Sequence, residues 1–205
     1  MFYETDANDH GLPHDPFKSC IVPRPIAWVS TLSTDGVVNL APFSFFNGAA
    51  SDPPQVLFCI NGNQPHGGIK DTLRNCEETG EFVVNMATWD LRDQMNTSCA
   101  AVGPEVDEME LAGLESLPSR LVKPPRVKAS PIHMECLYQQ TVDLPSTIPN
   151  QRNALVLGRV IGIHIDDSVL TDGIVDLRKI RPIGRLGYMD YAVVDDIFSM
   201  ARPRV

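Results

Sequence analysis

The stretch NLAPFSFFNGAASDPP, residues 39–54, constrains the fold more than any other, because it carries a proline inside what otherwise reads as a β-strand. Proline has no N–H to give a ladder, so a strand that holds one is confined to a sheet edge or a bulge. Before it, IAWVSTLS (26–33) reads as a strand, Thr34-Asp35-Gly36 supplies a turn, and VVNLAPFSFF (37–46) returns as the hairpin partner. Pro42 would leave that arm imperfectly paired, with the N–H and C=O groups of Ser44, Phe45, Phe46 and Asn47 open to a flat heteroaromatic ligand. Phe43, Phe45 and Phe46 would supply apolar surface for its ring, and Asn47-Gly48 lets the chain turn sharply afterwards. A barrel core with an edge bulge is the competing account of the same residues.

Further strands follow in QVLFCIN (55–61), EFVVNMAT (81–88), IHMECLYQQTVDL (132–144) and ALVLGRVIGIHID (154–166). The helices are few: KDTLRNCEETG has Asp71 or Thr72 to cap it, Leu73 and Cys76 on one face and Gly80 to close it. A second begins near Thr88 or Asp90, with Leu91, Met95, Cys99 and Val102 recurring every three or four residues. Mostly antiparallel strands with short covering helices need their edges hidden, and a closed or split barrel does this most economically. The chain reads as one domain over 1–205, with an irregular leader at 1–15 and an acid- and proline-rich excursion at 103–131 that includes a short helix in EVDEMELAGL.

Seventeen Lys and Arg against 26 Asp and Glu give a net charge of −9, without a basic block, which argues against nucleic acid as a partner. The start of the chain lacks a signal-peptide pattern, and the most apolar run, ALVLGRVIGIHI, is interrupted by Arg159 and too short for a bilayer. A cytoplasmic protein with no membrane contact is expected. Cys20, Cys59, Cys76, Cys99 and Cys136 are odd in number and lack a C-x-x-C spacing, so they read as small buried hydrophobes.

Two features carry chemistry. The strand 55–61 runs through a glycine-bearing loop into a helix that opens with Lys70, Asp71 and Thr72, and the free N–H groups and positive end of such a helix suit a phosphate. Plain capping beside a solvated lysine is the bland reading of that stretch. The other feature is the Pro42 arm, which offers a polar edge for a flat ring.

Taken in order, RPIAWVSTLSTDGVVNLAPFSFFNGAASDPPQVLFCI, KDTLRNCEETGEFVVNM, PPRVKASPIHMEC, GRVIGIHID and RLGYMDYAVV make the chain resemble the flavin reductase-like proteins with an FMN-binding split barrel, in the flavoredoxin group. The resemblance implies a six-stranded split barrel, a homodimer with FMN near the subunit interface, and reduction of flavin by NADH or NADPH, with a flavin-dependent oxygenase as natural acceptor. Carried over, it implies flavin contacts at Trp28, Ser30, Thr31, Ser44, Phe45, Phe46 and Asn47, and a phosphate end at Lys70, Asp71 and Thr72. His164, Arg185 and Tyr188 are the candidates facing the substrate. Tyr188 stands after Gly187 where many relatives carry a second glycine. His164 and Asp166 share a strand face, but two ligands do not make a metal site. The absence of a G-x-G-x-x-G fingerprint keeps a second reading open, an FMN electron carrier with no nicotinamide site of its own. A barrel that has lost its cofactor and serves as an interaction module is a third.

Overall fold

The computed structural model describes residues 1–65 and 67–203. Its central feature is one seven-stranded antiparallel sheet. The strands are β1 (Ala27–Leu32), β2 (Val38–Phe43), β3 (Phe46–Ser51), β4 (Pro54–Asn61), β5 (Glu81–Met86), β6 (Ile132–Leu144) and β7 (Asn153–Ile165). They are hydrogen-bonded in the order β2-β1-β5-β6-β7-β4-β3. The two outermost strands, β2 and β3, are separated in the chain only by Ser44 and Phe45, so the sheet has to curl until its two edges meet. The Cys59 N–H donates to the Phe45 carbonyl at 2.8 Å and ties that corner to the flank of β4. The result is a split barrel of mostly β architecture, as the sequence implies.

Pro42 sits where its missing N–H costs nothing. In the β1–β2 hairpin Trp28 faces Pro42 and Ser30 faces Leu40. The Leu40 N–H turns outward, to the Glu108 carboxylate, and strand alternation puts the Pro42 nitrogen and carbonyl on that same outer side. The expected single arm 37–46 is therefore two strands broken at the corner, which turns six strands into seven. Asn47 and Gly48 do not turn the chain; they pair with Leu57 and Val56 in the ladder, and the reversal comes later, between Ser51 and Pro54.

Alternation along β1 sends Ala27 and Val29 into the barrel with Phe58, Phe82, Val84 and Val156. Trp28 goes to the other face, among Leu40, Met95, Met109 and Val127. Both faces of β1 are thus covered, the outer one by the helices α2 (Arg92–Thr97) and α3 (Glu108–Leu111). The expected second helix is a 3₁₀ turn, Trp89–Leu91, followed by six residues of α2, and it stops short of Cys99 and Val102. Helix α1 (Asp71–Thr79) buries Leu73 and Cys76 and ends at Gly80, whose φ of 75° makes the left-handed closure. Cys76 and Cys136 are buried as expected, whereas Cys20 and Cys99 are exposed and Cys59 is half-buried.

The leader and the C-terminal part meet at the corner. The segment Arg24–Pro25 pairs with Ile183–Arg185, which pairs with Tyr191–Val193. Buried Arg24 donates to the carbonyls of Lys18, Ile21 and Leu186 at 2.5, 2.7 and 2.8 Å, and its guanidinium lies 5.6 Å from the Phe45 ring centre. Among the described residues no helix is long and apolar enough to cross a membrane.

The barrel interior leaves no spare volume at Gly158, where a Cβ would come within 2.2 Å of the Phe82 ring. Gly158→Ala is expected to lower stability by about 1–3 kcal/mol through overpacking, read as a lower denaturation midpoint at an unchanged denaturant slope.

Candidate functional site

The first turn of α1 is fixed to β2 by a buried polar network. Asn39 Nδ2 donates to Thr72 Oγ1 at 2.9 Å and to Thr31 Oγ1 at 3.2 Å, and Asn75 Nδ2 donates to the same Thr31 oxygen at 3.0 Å. The start of α1 is thereby held beside the outer edge of β2, so the phosphate-suited helix end and the proline-bearing edge come together. Between them lies a groove of about 320 Å³. Asn39, Ala41, Pro42 and Phe43 form one side, residues 70–72 one end, and residues 98–101 with Glu108 the remaining wall.

Lys70 occupies the N-cap position with extended backbone, and its side chain makes no cap bond. It forms no ion pair among the described residues. The Leu73 and Arg74 amides bond to the Lys70 carbonyl. The Asp71 and Thr72 amides meet no acceptor among the described residues, so two N–H groups and a free ammonium face the same end. The Asp71 carboxylate is engaged by its own partners, accepting from Gln64 Nε2 at 2.5 Å and pairing with Arg74. Thr72 accepts from Asn39 and keeps its own hydroxyl proton to donate. These residues fit a phosphate.

A smaller hollow of about 120 Å³ continues the groove, sharing Pro42 and Cys99 and adding Ser44, Arg185 and Tyr191. The Arg185 guanidinium is held by the Tyr191 hydroxyl and by the Tyr188 carbonyl, and lies 4.4 Å from the Tyr191 ring centre. Lys70, Asp71, Thr72, Ser44 and Arg185 thus line one trough.

The other expected site residues fall elsewhere. Trp28, Ser30 and Thr31 are fully enclosed: the Trp28 indole N–H donates to Ser98 Oγ, Ser30 donates to the Pro125 carbonyl, and Thr31 belongs to the network above. Their strand is central, which leaves neither face free for a ligand. Phe45 lies under Arg24 and Phe46 packs on the barrel core, so the three phenylalanines form no common platform. The Asn47 side chain is exposed and accepts the Gly48 N–H at 2.8 Å. The Tyr188 ring lies against His14, at 5.6 Å between ring centres, and only its carbonyl reaches the trough, through Arg185.

His164 is furthest from expectation. The register runs Pro42, Trp28, Asn85, His133, His164 across neighbouring strands, which puts it four strands from Pro42, roughly 19 Å along the curved sheet at about 4.8 Å per strand. Its Nε2 meets Glu135 at 2.5 Å, and the Glu135 carboxylate also accepts the Arg120 and Leu121 amides at 2.8 and 2.6 Å, fastening the 103–131 excursion to the sheet. His164 is part of that fastening.

Glu108 and Cys99 also line the groove, which the sequence did not reveal. Burial pushes the Glu108 carboxyl up to about 7, with Asp71 and Asp107 adding to the push and backbone amides, that of Leu40 foremost, opposing it. Burial likewise raises the Cys99 thiol, against the pull of Arg185 and Lys70. Farther along the same face of the sheet, beyond Trp28 and Asn85, burial lowers His133 to about 4.

The model of the flavin reductase like domain matches residues 19–188. The chain belongs to the flavin reductase-like family, and its fold is the family's flavin-binding split barrel. It is 36% identical over 185 residues to the uncharacterised protein BH2278 of Halalkalibacterium halodurans, covering 90% of this chain and 88% of that one. An uncharacterised protein of Aquifex aeolicus is 40% identical over 169 residues, 82% of each chain. Among solved structures, nitrilotriacetate monooxygenase component B from Bacillus cereus superposes with a TM-score of 0.89 at 30% identity over 98% of both chains. The 2-nitrobenzoate 2-nitroreductase NbaA of Pseudomonas fluorescens gives 0.84 at 26%, over 99% of this chain and 96% of that one.

His133 and Glu108 make opposite demands on stability. A histidine lowered to about 4 contributes stability above its ordinary 6.5 that is lost as pH falls toward 4. A carboxyl raised to about 7 contributes stability below its ordinary 4.5 that is lost as pH rises through 7. Between pH 4.5 and 6.5 the two slopes oppose. Relative to wild type, His133→Gln is expected to lose stability as pH rises across that window and Glu108→Gln to gain it, each by up to about 3 kcal/mol, read by denaturant titrations at several pH values.

Proposed function

We propose that this protein is an FMN-dependent oxidoreductase of the flavin reductase type, which takes hydride from NADH or NADPH and passes electrons on. The observation that carries this reading is the meeting, in one groove, of the Asp71 and Thr72 amides, which have no acceptor among the described residues, the Lys70 ammonium and the outer edge of β2. In it, Lys70, Thr72 and the two amides hold the phosphate. The Pro42 carbonyl and Ser44 meet the polar edge of the ring, and Arg185 stands at the far end of the trough. Residues 98–101 cover one wall and keep water from it. Bound FMN would supply the electron-accepting ring, so the side chains are needed to position and shield, with little acid or base work.

The protein acts as a homodimer, as the family resemblance implies, and in the cytoplasm, a compartment that its unpaired thiols suit. The Bacillus cereus relative is named as a component of a monooxygenase, which supports a flavin-dependent oxygenase as the acceptor here. The Pseudomonas fluorescens relative is named as a nitroreductase, which favours a second reading, direct reduction of a small acceptor at the trough.

Lys70→Ala is expected to weaken FMN binding about 10- to 100-fold, the loss of a charge-assisted contact of about 1.5–3 kcal/mol, while riboflavin, which lacks the phosphate, binds as before. Equal losses for both flavins would misplace the phosphate end. Anaerobic mixing of the FMN-loaded protein with NADH and with NADPH tests the donor: bleaching at catalytic rates is expected with at least one. An unchanged spectrum with both means an electron carrier.

A further inference from the structure

Glu108 is a buried carboxyl in the wall of the flavin groove, and the positioning of FMN described above makes no use of it. It is 7% exposed and comes from a four-residue helix in the excursion. Its Oε2 accepts the Leu40 N–H at 3.1 Å, sealing the outer edge of β2 next to Pro42. A carboxyl accepts that bond whether ionised or protonated, so the edge stays sealed in both states. Only the protonated form has an O–H to offer as a donor.

The charged and titratable groups around it are few. Helix α1 brings Lys70 and Asp71, the segment after α2 brings Cys99, and its own turn brings Asp107, whose carboxylate caps α3 through the Met109 and Glu110 amides. Strand β2, packed against α3, has no ionisable side chain between Val38 and Phe43. Asp71 already engages Gln64 and Arg74. A phosphate in this groove brings a charge of about −1.5 to −2 at neutral pH. Among the described residues Glu108 has no cation on it, and unlike Asp107 it caps no helix, so it is the group that can give way.

Resting on the flavin reading above, we propose that Glu108 is a proton switch in the groove: filling the end formed by Lys70 and Thr72 with a phosphate is coupled to uptake of a proton by the Glu108 carboxyl. Phosphorylated flavin is then bound at lower pH and released as pH rises, and flavin without a phosphate is indifferent. Burial holds this carboxyl up to about 7, which puts the exchange in the physiological range.

The test is to measure dissociation constants for FMN and riboflavin by flavin fluorescence at pH 7.5 and 9. The second phosphate ionisation, at about 6, is complete in that window. The FMN constant of the wild type is expected to rise about threefold, the part of a like-charge coupling worth one pKa unit that falls in this window when the carboxyl starts at about 7, and the riboflavin constant to stay level. Glu108→Gln is expected to remove the dependence. His66→Asn, four residues before Lys70 in the sequence, is expected to keep it. Because Glu108→Gln removes a group that seals β2, calorimetry of FMN binding to the wild type at pH 7.5, in two buffers of different ionisation enthalpy, gives an independent reading: net proton uptake is expected.

A level FMN constant, a parallel rise for riboflavin, dependence that survives in Glu108→Gln or disappears in His66→Asn, or zero proton uptake each overturns the switch and leaves the flavin reading intact. No binding of FMN at any pH overturns both.

Discussion

The structure depends on a two-residue corner. Ser44 and Phe45 join the strands that form the two outer edges of the sheet, so the order of strands forces closure and brings the end of the β1–β2 hairpin to the flank of β4. An open sheet would expose two rows of unpaired backbone groups. Here the corner brings the two edge strands together at one end, and the outer edge of β2 stays open alongside Pro42. That gap is where Glu108, the start of α1 and the segment after α2 converge. The closure that stabilises the barrel therefore also produces the groove.

Arg24 and Asn39 hold this arrangement from two sides. Arg24 gathers three carbonyls from the leader and from residue 186 under the corner, and Asn39 bonds the second strand to the first turn of α1. Buried polar groups with several satisfied partners fix geometry more strictly than apolar contacts, because each lost bond leaves a desolvated group without compensation. Both residues also explain why the groove is formed before any ligand arrives.

Much of the fold was legible because strand alternation, turn residues and helix stops act locally. The β1–β2 hairpin, α1 with its Gly80 closure, and the long strands β6 and β7 all fall where the pattern puts them. The break at Ser44 was not legible, since β2 and β3 pair with partners on opposite sides of the barrel and nothing within the arm records that. The groove was legible in its local part, the helix start that Lys70, Asp71 and Thr72 mark. It was not legible where the cover of a strand comes from distant segments. Trp28, Ser30 and Thr31 look available in a hairpin and are enclosed because α2 and α3 return over Trp28, the excursion over Ser30 at Pro125, and α1 over Thr31. His164 looks free on its strand and is committed to Glu135, whose other partners come from the excursion. Glu108 looked like one acid among several in a solvated segment, and only the return of α3 onto β2 makes it a wall of the groove.

The central claim is that the gap beside Pro42 cradles a flavin whose phosphate is held at the start of α1. A crystal structure of the protein grown with FMN tests this most directly. The account predicts the ring lying along the outer edge of β2, with phosphate oxygens at hydrogen-bond distance from the Asp71 and Thr72 amides and the Lys70 ammonium. A flavin bound elsewhere, or a groove closed by its own side chains at saturating FMN, would contradict it.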